Sequence, residues 1–131
     1  MTVFVDTSAP YIALDADDEM HQQVVGSLRG LLEEPLVTHS YVVAESTALV
    51  ERRLGRRHAR RLLTHLLAPV EVVWIDERIH RAATSAYLAT TRRGPSLVDC
   101  TSFEVMRTLG LGTAFAVDRD FADAGFDVIP G

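Results

Sequence analysis

Short apolar runs alternate with longer amphipathic segments along this chain, and this alternation limits its fold more than any other feature. The runs are rich in β-branched and aromatic side chains, which predicts strands. They cover residues 3–5, 36–38, 70–75, 113–117 and 127–129. Strands that alternate with helices form parallel sheets covered on both faces. The sequence therefore predicts an α/β fold, an α/β/α sandwich with a mainly parallel central sheet of about five strands.

The segments between the runs carry apolar residues at helical spacing. They predict helices over 19–32, 41–54, 56–67, 76–91 and 97–109, with a helix start at 7–10 and a loop at 92–95. Ser40 and Ser96 stand at expected N-caps, and Gly55 separates two helices that we interpret as a helical-pair insertion. With 131 residues and 47% hydrophobic content, residues 1–131 are expected to form a single domain.

No apolar run reaches the ~18 residues of a membrane-spanning helix, and the N-terminus lacks a secretory pattern. We therefore expect a cytoplasmic protein without membrane association. The five histidines show no convincing metal-ligand spacing with a third ligand. They are expected at the surface or at a partner contact.

The net charge of -5 argues against a nucleic-acid partner unless basic residues are grouped. All basic residues are arginine, and six of them are grouped. They are Arg52, Arg53, Arg56, Arg57, Arg60 and Arg61. This group fits an RNA-backbone contact and fits a solvated helix face almost equally well, so both interpretations stay open.

Asp6 and Asp118 directly follow two of the predicted strands. Ligand sites in open parallel sheets lie beyond the carboxyl ends of the strands. Both carboxylates are therefore expected at one edge of the sheet, although either one alone would be an ordinary turn residue.

Glu45 and Asp99 are acids on predicted helices. Glu45 has apolar residues at i-4, i+3 and i+4, which places it on an apolar helical face. Asp99 shares a face with Phe103, but it also completes an S-x-x-D capping box with Ser96. The local sequence leaves a cap and a ligand open for Asp99.

Four inward acids on four elements indicate a cation. Ionised carboxylates that are buried together repel one another and lose hydration unless a cation neutralises them. Oxygen ligands suit Mg²⁺ or Mn²⁺, with water and substrate phosphate completing the coordination. The combination therefore predicts cleavage of a phosphoryl–oxygen bond.

Three motifs resemble those of the PIN-domain ribonucleases, and among these the VapC-type toxins of toxin–antitoxin pairs. They are V-F-V-D-T-S at Asp6, S-L-V-D-C-T-S-F at Asp99 and V-D-R-D-F-A-D-A-G-F at Asp118, with the Glu45 helix between the first two. The resemblance covers essentially the whole chain. It implies that Asp6, Asp99 and Asp118 hold Mg²⁺ or Mn²⁺ directly or through water. Glu45 would orient or deprotonate the attacking water or serve as a fourth ligand, so that RNA is hydrolysed endonucleolytically.

Ala116 departs from the resemblance, because family members often have Ser or Thr there. A hydroxyl that could position water or metal is then missing. Asp120 is a candidate additional ligand, whereas Asp123 is expected to be a solvated acid. Thr7 could contribute to the site or cap the following helix, and both roles stay open.

Three other classes of α/β protein lack support. The chain has no lysine for a response-regulator receiver, no D-x-D for a haloacid-dehalogenase-type phosphatase and no G-x-G-x-x-G for a dinucleotide-binding fold.

The resemblance also implies partners: an RNA substrate, a VapB-type antitoxin, and a homodimer or a toxin–antitoxin hetero-oligomer. Two alternatives stay open. One is an RNA-processing PIN nuclease that is not a toxin, and the other is a catalytically weak PIN-like domain that binds RNA or protein. The complete set of acids favours the enzyme, and the small size favours the toxin.

Overall fold

The computed structural model describes residues 1–91 and 93–131, which form five strands and seven helices around one sheet. The strands are β1 (Val3–Val5), β2 (Leu36–His39), β3 (Val70–Val73), β4 (Thr113–Phe115) and β5 (Asp127–Ile129). The helices are α1 (Ser8–Leu14), α2 (His21–Leu31), α3 (Ser40–Leu54), α4 (Arg56–Arg61), α5 (Glu77–Ala89), α6 (Leu97–Leu109) and α7 (Asp120–Asp123). No helix within these residues is both long and apolar enough to span a membrane.

All pairings in the sheet are parallel, and the strand order is β3-β2-β1-β4-β5. The chain moves outward from β1 to β3 and then returns to the other side of β1, so the direction of winding changes between β1 and β4. Val5 pairs with Phe115, and the amide of Asp6 donates to the carbonyl of Phe115. The residues that follow β1 and β4 are therefore neighbours at the position where open α/β sheets bind ligands.

Alternate residues of the strands enter two apolar clusters, one on each face of the sheet. Val3 and Val5 of β1 belong to the first cluster, which includes residues of α1, α2 and α4. Phe4 lies between them and belongs to the second cluster, which includes residues of α5, α6 and α7. Helices on both faces of a parallel sheet confirm the predicted α/β/α sandwich, and α3 and α4 form the helical pair between β2 and β3.

Several boundaries differ from the sequence prediction. The sheet pairing of β3 ends at Val73 and that of β4 ends at Phe115, so both strands are two residues shorter than predicted. The helix predicted over 56–67 is α4 followed by a π-helical turn, Leu62–Leu66. The i→i+5 bonds of this turn bring residues five positions apart together, and Leu62 and Leu67 are both buried. The loop predicted at 92–95 begins at Arg92, which lies outside the described residues.

Candidate metal centre

Three carboxylates meet at the edge of the sheet beyond β1 and β4. Asp6 follows β1, Asp118 lies just beyond β4, and Asp99 stands in the first turn of α6. One oxygen from each lies within 4.8 Å of the others. Within residues 1–91 and 93–131, no other group of three or more His, Cys, Asp or Glu side chains is arranged in this way.

Asp6 is the most deeply buried of the three acids, with 2% of its surface exposed. Burial, reinforced by the charges of Asp118 and Asp99, raises its pKa from 3.8 to about 7. The amide of Thr7 and the hydroxyl of Ser8 donate hydrogen bonds that lower this pKa, but they do not outweigh burial. Among residues 1–91 and 93–131, no basic side chain forms an ion pair with the Asp6 carboxylate.

Asp99 caps α6, and its position in the cluster is also compatible with the ligand role that the sequence left as the alternative. Its amide donates to the Ser96 hydroxyl, and its Oδ2 accepts the Ser96 amide at 3.0 Å, which completes the capping box. A carboxylate has two oxygens and several lone pairs, so a cap does not prevent it from serving as a ligand. Burial foremost, and then the charges of Asp118 and Asp120, raise the pKa of Asp99 to about 6.

Asp118 is more exposed than the other two acids, and its Oδ1 accepts the amide of Asp120 at 3.1 Å. Partial loss of hydration raises the pKa of Asp118, and the charges of Asp120 and Glu45 act in the same direction. Asp120 therefore lies within electrostatic reach of Asp99 and Asp118 without joining the cluster. Asp123 is exposed, as expected for a solvated acid.

Glu45 is held beside the cluster by Thr7, whose hydroxyl donates to Oε1 of Glu45 at 2.7 Å. The sequence left open whether Thr7 caps α1, and its side chain makes no such cap bond. The apolar face predicted around Glu45 is not part of the core, since Ala48 is exposed and Leu49 half-buried. These two residues line an open surface cavity with Thr7, Glu45 and Arg52. The prediction that Glu45 lies on a core-facing helical face is therefore wrong.

Ser8 contacts the candidate site, although the sequence indicated no role for it. Its hydroxyl donates to Oδ2 of Asp6 at 3.1 Å and accepts the amide of Val117 at 3.0 Å. Its only sequence signal is its place two positions after Asp6 in V-F-V-D-T-S. Ala116, which lacks the hydroxyl expected from the resemblance, is buried in the second apolar cluster. The hydroxyls beside Asp6 and Glu45 therefore come from the start of α1.

The donor set fits a hard divalent cation. One oxygen of each carboxylate lies within 4.8 Å of the others, which groups three oxygen donors at one place, as a hard cation requires. These donors are all carboxylate oxygens, which suit Mg²⁺ and Mn²⁺ better than softer metals. A cation here would also favour the ionised form of the three carboxylates, whose pKa values are raised first by burial and then by neighbouring acids.

The six grouped arginines are all exposed, but they do not share one environment. Arg52 lines the cavity that contains Glu45 and Thr7. Arg53 lies over the ring of Tyr11 at 5.5 Å, and Arg61 lines a separate surface with residues of α1 and α2. Arg52 is therefore well placed to contact a substrate beside the acids.

His39 contradicts the expectation that all five histidines lie at the surface. It is fully buried at the end of β2, and its Nδ1 accepts the amides of Tyr41 and Val42. His39 is thus the side-chain cap of α3, whereas Ser40 was expected to be the cap. A polar residue at the end of a predicted strand gave no indication of this burial.

The chain is similar to known proteins over nearly its whole length. It matches the PIN domain over residues 3–127. It is 34% identical over 128 residues to the 23S rRNA-specific endonuclease VapC20 of Mycobacterium tuberculosis, covering 95% of each protein. A crystal structure of VapC20, described as a Sarcin-Ricin loop cleaving toxin, superposes with a TM-score of 0.86 at 32% identity and covers 95% of each chain.

More distant structures share the fold. FitAcB from Neisseria gonorrhoeae has a TM-score of 0.72 at 20% identity, covering 98% of this chain and 96% of that one. VapBC2 from Rickettsia felis, bound to a promoter DNA fragment, has a TM-score of 0.72 at 13% identity, covering 98% and 97%.

Proposed function

The chain belongs to the PIN-domain family, and we propose that it is a divalent-metal-dependent endoribonuclease and the toxin of a VapBC-type toxin–antitoxin pair. The cluster of Asp6, Asp99 and Asp118 carries the proposal, because its oxygens lie within 4.8 Å of one another. Three such acids without a cation repel one another, and a cation with free coordination positions can take a phosphate oxygen and water.

Asp6, Asp99 and Asp118 are the proposed ligands of Mg²⁺ or Mn²⁺, with Glu45 beside them. Such a cation, when bound, lowers the pKa of water and stabilises negative charge on the phosphoryl oxygens. The chain itself supplies the positions of these acids: Ser8 holds Asp6, Ser96 holds Asp99, and the amide of Asp120 holds Asp118.

Glu45 is the proposed base, because its carboxylate adjoins the cluster and the Thr7 hydroxyl orients it through Oε1. Glu45 would accept a proton from the attacking water while the water oxygen bonds to phosphorus. The bond from phosphorus to one ester oxygen of the RNA backbone breaks, and this oxygen gains a proton from solvent. The products are one RNA fragment that ends in phosphate and one that ends in a hydroxyl, and no covalent enzyme intermediate forms.

Arg52 is the proposed first contact to the RNA backbone, because it lines the cavity next to Glu45. Arg53, Arg56, Arg57, Arg60 and Arg61 extend a basic surface away from it, although Arg56 also pairs with Glu51 at 3.4 Å. A local basic surface can bind phosphates on a protein whose net charge is -5.

The proposed substrate class is a loop of ribosomal RNA. The support is the similarity to VapC20, which is described as 23S rRNA-specific and as cleaving the Sarcin-Ricin loop. Identity of 34% over 95% of both proteins favours a related substrate over an unrelated messenger or transfer RNA.

The proposed partner is a VapB-type antitoxin in the cytoplasm, bound to a homodimer or within a toxin–antitoxin hetero-oligomer. An arginine or lysine of the antitoxin among the acids would pair with the carboxylates in place of metal. A co-expressed complex is therefore expected to be inactive. Equal RNA cleavage by the complex and the free protein at excess Mg²⁺ would contradict this inhibition.

Cleavage of a labelled 23S rRNA and of a loop-bearing fragment tests the proposed activity. The purified protein is incubated with Mg²⁺, with Mn²⁺ or with EDTA, and the cut ends are mapped by primer extension. Asp6→Asn is expected to lose at least about 100-fold in rate, because it removes a charge that holds the cation. Asp123→Asn is the matched control, since it removes one exposed carboxylate of α7 that lies outside the cluster.

The expected result is metal-dependent cleavage at discrete sites by the parent and Asp123→Asn. Cleavage by Asp6→Asn at the parental rate, in protein free of parent contamination, would refute the assigned site. If the protein cleaves other RNAs but not ribosomal RNA, the proposed nuclease activity stands and the proposed ribosomal substrate is refuted.

A further inference from the structure

The Ser8 hydroxyl lies between the ends of β1 and β4 and makes two hydrogen bonds there. It accepts the amide of Val117 at 3.0 Å and donates to Oδ2 of Asp6 at 3.1 Å. The amide of Val117 can only donate, so it must use a lone pair of the hydroxyl. The single hydroxyl proton is then free to be donated to Asp6.

This arrangement explains why the pairing between β1 and β4 does not extend to Val117. The last backbone bond between the strands runs from the amide of Asp6 to the carbonyl of Phe115. In a continued parallel ladder the amide of Val117 would next donate to the carbonyl of Asp6. The Val117 amide donates to the Ser8 hydroxyl instead. The Ser8 Oγ atom therefore links the backbone of Val117 to the side chain of Asp6.

Ser8 therefore links two of the clustered acids. One of its bonds reaches the Asp6 carboxylate, and the other reaches the residue directly before Asp118. Ser8 is the first residue of α1, yet within the described residues its hydroxyl bonds to no amide of that helix. A capping role does not account for these contacts.

We propose that Ser8 is a positioning residue that sets the separation of Asp6 and Asp118 for a divalent cation. The inference rests on the proposed function, because it assigns Ser8 to the metal ligands of that site. Thr7, the preceding residue, acts on a different group, since its hydroxyl donates to Glu45. The Ser8 hydroxyl therefore positions the proposed metal ligands, and the Thr7 hydroxyl positions the proposed base.

Titration calorimetry of Mn²⁺ binding to the intact chain, without RNA, tests these separate roles of Ser8 and Thr7. Ser8→Ala is expected to weaken Mn²⁺ binding by about tenfold or more, as for other groups that orient metal ligands. Ser8→Thr keeps a hydroxyl and should restore the parental affinity. Thr7→Val should leave Mn²⁺ affinity at the parental value while lowering kcat for RNA cleavage, because it releases only Glu45.

Circular dichroism establishes that each variant is folded. If Ser8→Ala does not fold, Ser8→Cys replaces it, because a thiol of similar size is a weaker donor and acceptor and should give an intermediate Mn²⁺ affinity.

Two results would overturn the proposal for Ser8 alone: parental Mn²⁺ affinity in Ser8→Ala or Ser8→Cys, or an equal loss of affinity in Thr7→Val. A parent that cleaves RNA but binds no Mn²⁺ would overturn it together with the proposed metal site. A parent that binds Mn²⁺ tightly but cleaves no RNA would refute the nuclease, while the order of Mn²⁺ affinities would still decide the role of Ser8.

Discussion

The Nε2 atom of His39 lies 2.8 Å from Oγ of Ser102, and this buried contact joins the end of β2 to α6. Because Nδ1 of His39 accepts two backbone amides, the ring proton must be on Nε2, which donates to Ser102. Ser102 in turn donates to the carbonyl of Val98. The contact braces the helix that carries Glu45 against the helix that carries Asp99.

Removal of the His39 ring is expected to destabilise the fold. His39→Ala leaves a cavity, two amides of α3 without their acceptor and Ser102 without its donor, which together cost about 3 kcal/mol or more. Urea unfolding measures this loss. His65→Ala is the matched control, because His65 is exposed, and it should change the free energy of unfolding by no more than about 0.5 kcal/mol. Equal stability of the two variants would contradict the bracing role.

The stability of the metal-free protein is expected to depend on the protonation of Asp6. Its pKa is about 7 in the folded protein against an ordinary value of 3.8, so the folded state binds more protons between those values. The free energy of unfolding therefore falls as pH rises through this window. Burial lowers the pKa of His39 to about 4, so His39 makes the free energy of unfolding rise with pH between 4 and 6.5.

A comparison of the parent with Asp6→Asn tests this dependence on Asp6 and the acids coupled to it, because His39 contributes equally to both proteins. In EDTA, a change from about pH 8 to about pH 5.5 should stabilise the parent relative to Asp6→Asn by about 2 kcal/mol. Urea unfolding at both pH values measures the difference. If the difference in free energy of unfolding between the two proteins does not change with pH, the pKa of Asp6 is not raised in the folded protein.

Substitutions of Asp99 and Ser96 distinguish the capping role of Asp99 from its proposed role as a metal ligand. Asp99→Asn keeps a side-chain oxygen that can accept the Ser96 amide, so the fold should be nearly as stable as the parent while cleavage falls about 100-fold. Ser96→Ala removes the N-cap at a cost of about 1 kcal/mol but keeps the carboxylate, so more cleavage should remain. Unfolding and cleavage rates measured on both variants test this. The reverse order of activities would mean that Asp99 is only a cap.

Arg52 and Arg61 provide a matched pair for the RNA contact, since both are exposed arginines of the same basic group. Arg52→Ala should raise KM and reduce the salt slope of RNA binding by about 0.7 to 0.9, the value of one phosphate contact. Arg61→Ala, which alters a surface away from Glu45, should have the smaller effect. Equal effects would favour a diffuse basic surface over a specific contact at Arg52.

The convergence of Asp6, Asp99 and Asp118 could be predicted from the sequence, because general rules place these residues. The carboxyl ends of parallel strands share one edge of a sheet, which brings Asp6 and Asp118 together. The capping box fixes Asp99 at the first turn of α6. Such rules depend on local spacing and strand direction, which a sequence displays directly.

The contacts of Ser8 and His39 could not be predicted, because their partners come from distant parts of the chain. Ser8 meets Val117 across 109 positions, and His39 meets Ser102 across 63. Local spacing carries no record of such contacts. Glu45 shows the opposite problem, since its apolar neighbours suggested a core face but line an open cavity. Helical spacing shows which residues share a face but not what that face meets.

A thermal melt of the parent and Asp6→Asn in EDTA and in millimolar Mn²⁺, at constant ionic strength, tests the proposed metal centre most directly. Mn²⁺ at a hundred times its dissociation constant should stabilise the parent by ~2.7 kcal/mol and raise its melting temperature by several degrees. Asp6→Asn should gain much less, and in EDTA it should be at least as stable as the parent. A parent that does not respond to Mn²⁺, together with an Asp6→Asn variant clearly destabilised in EDTA, would show that these acids are structural groups and not a metal site.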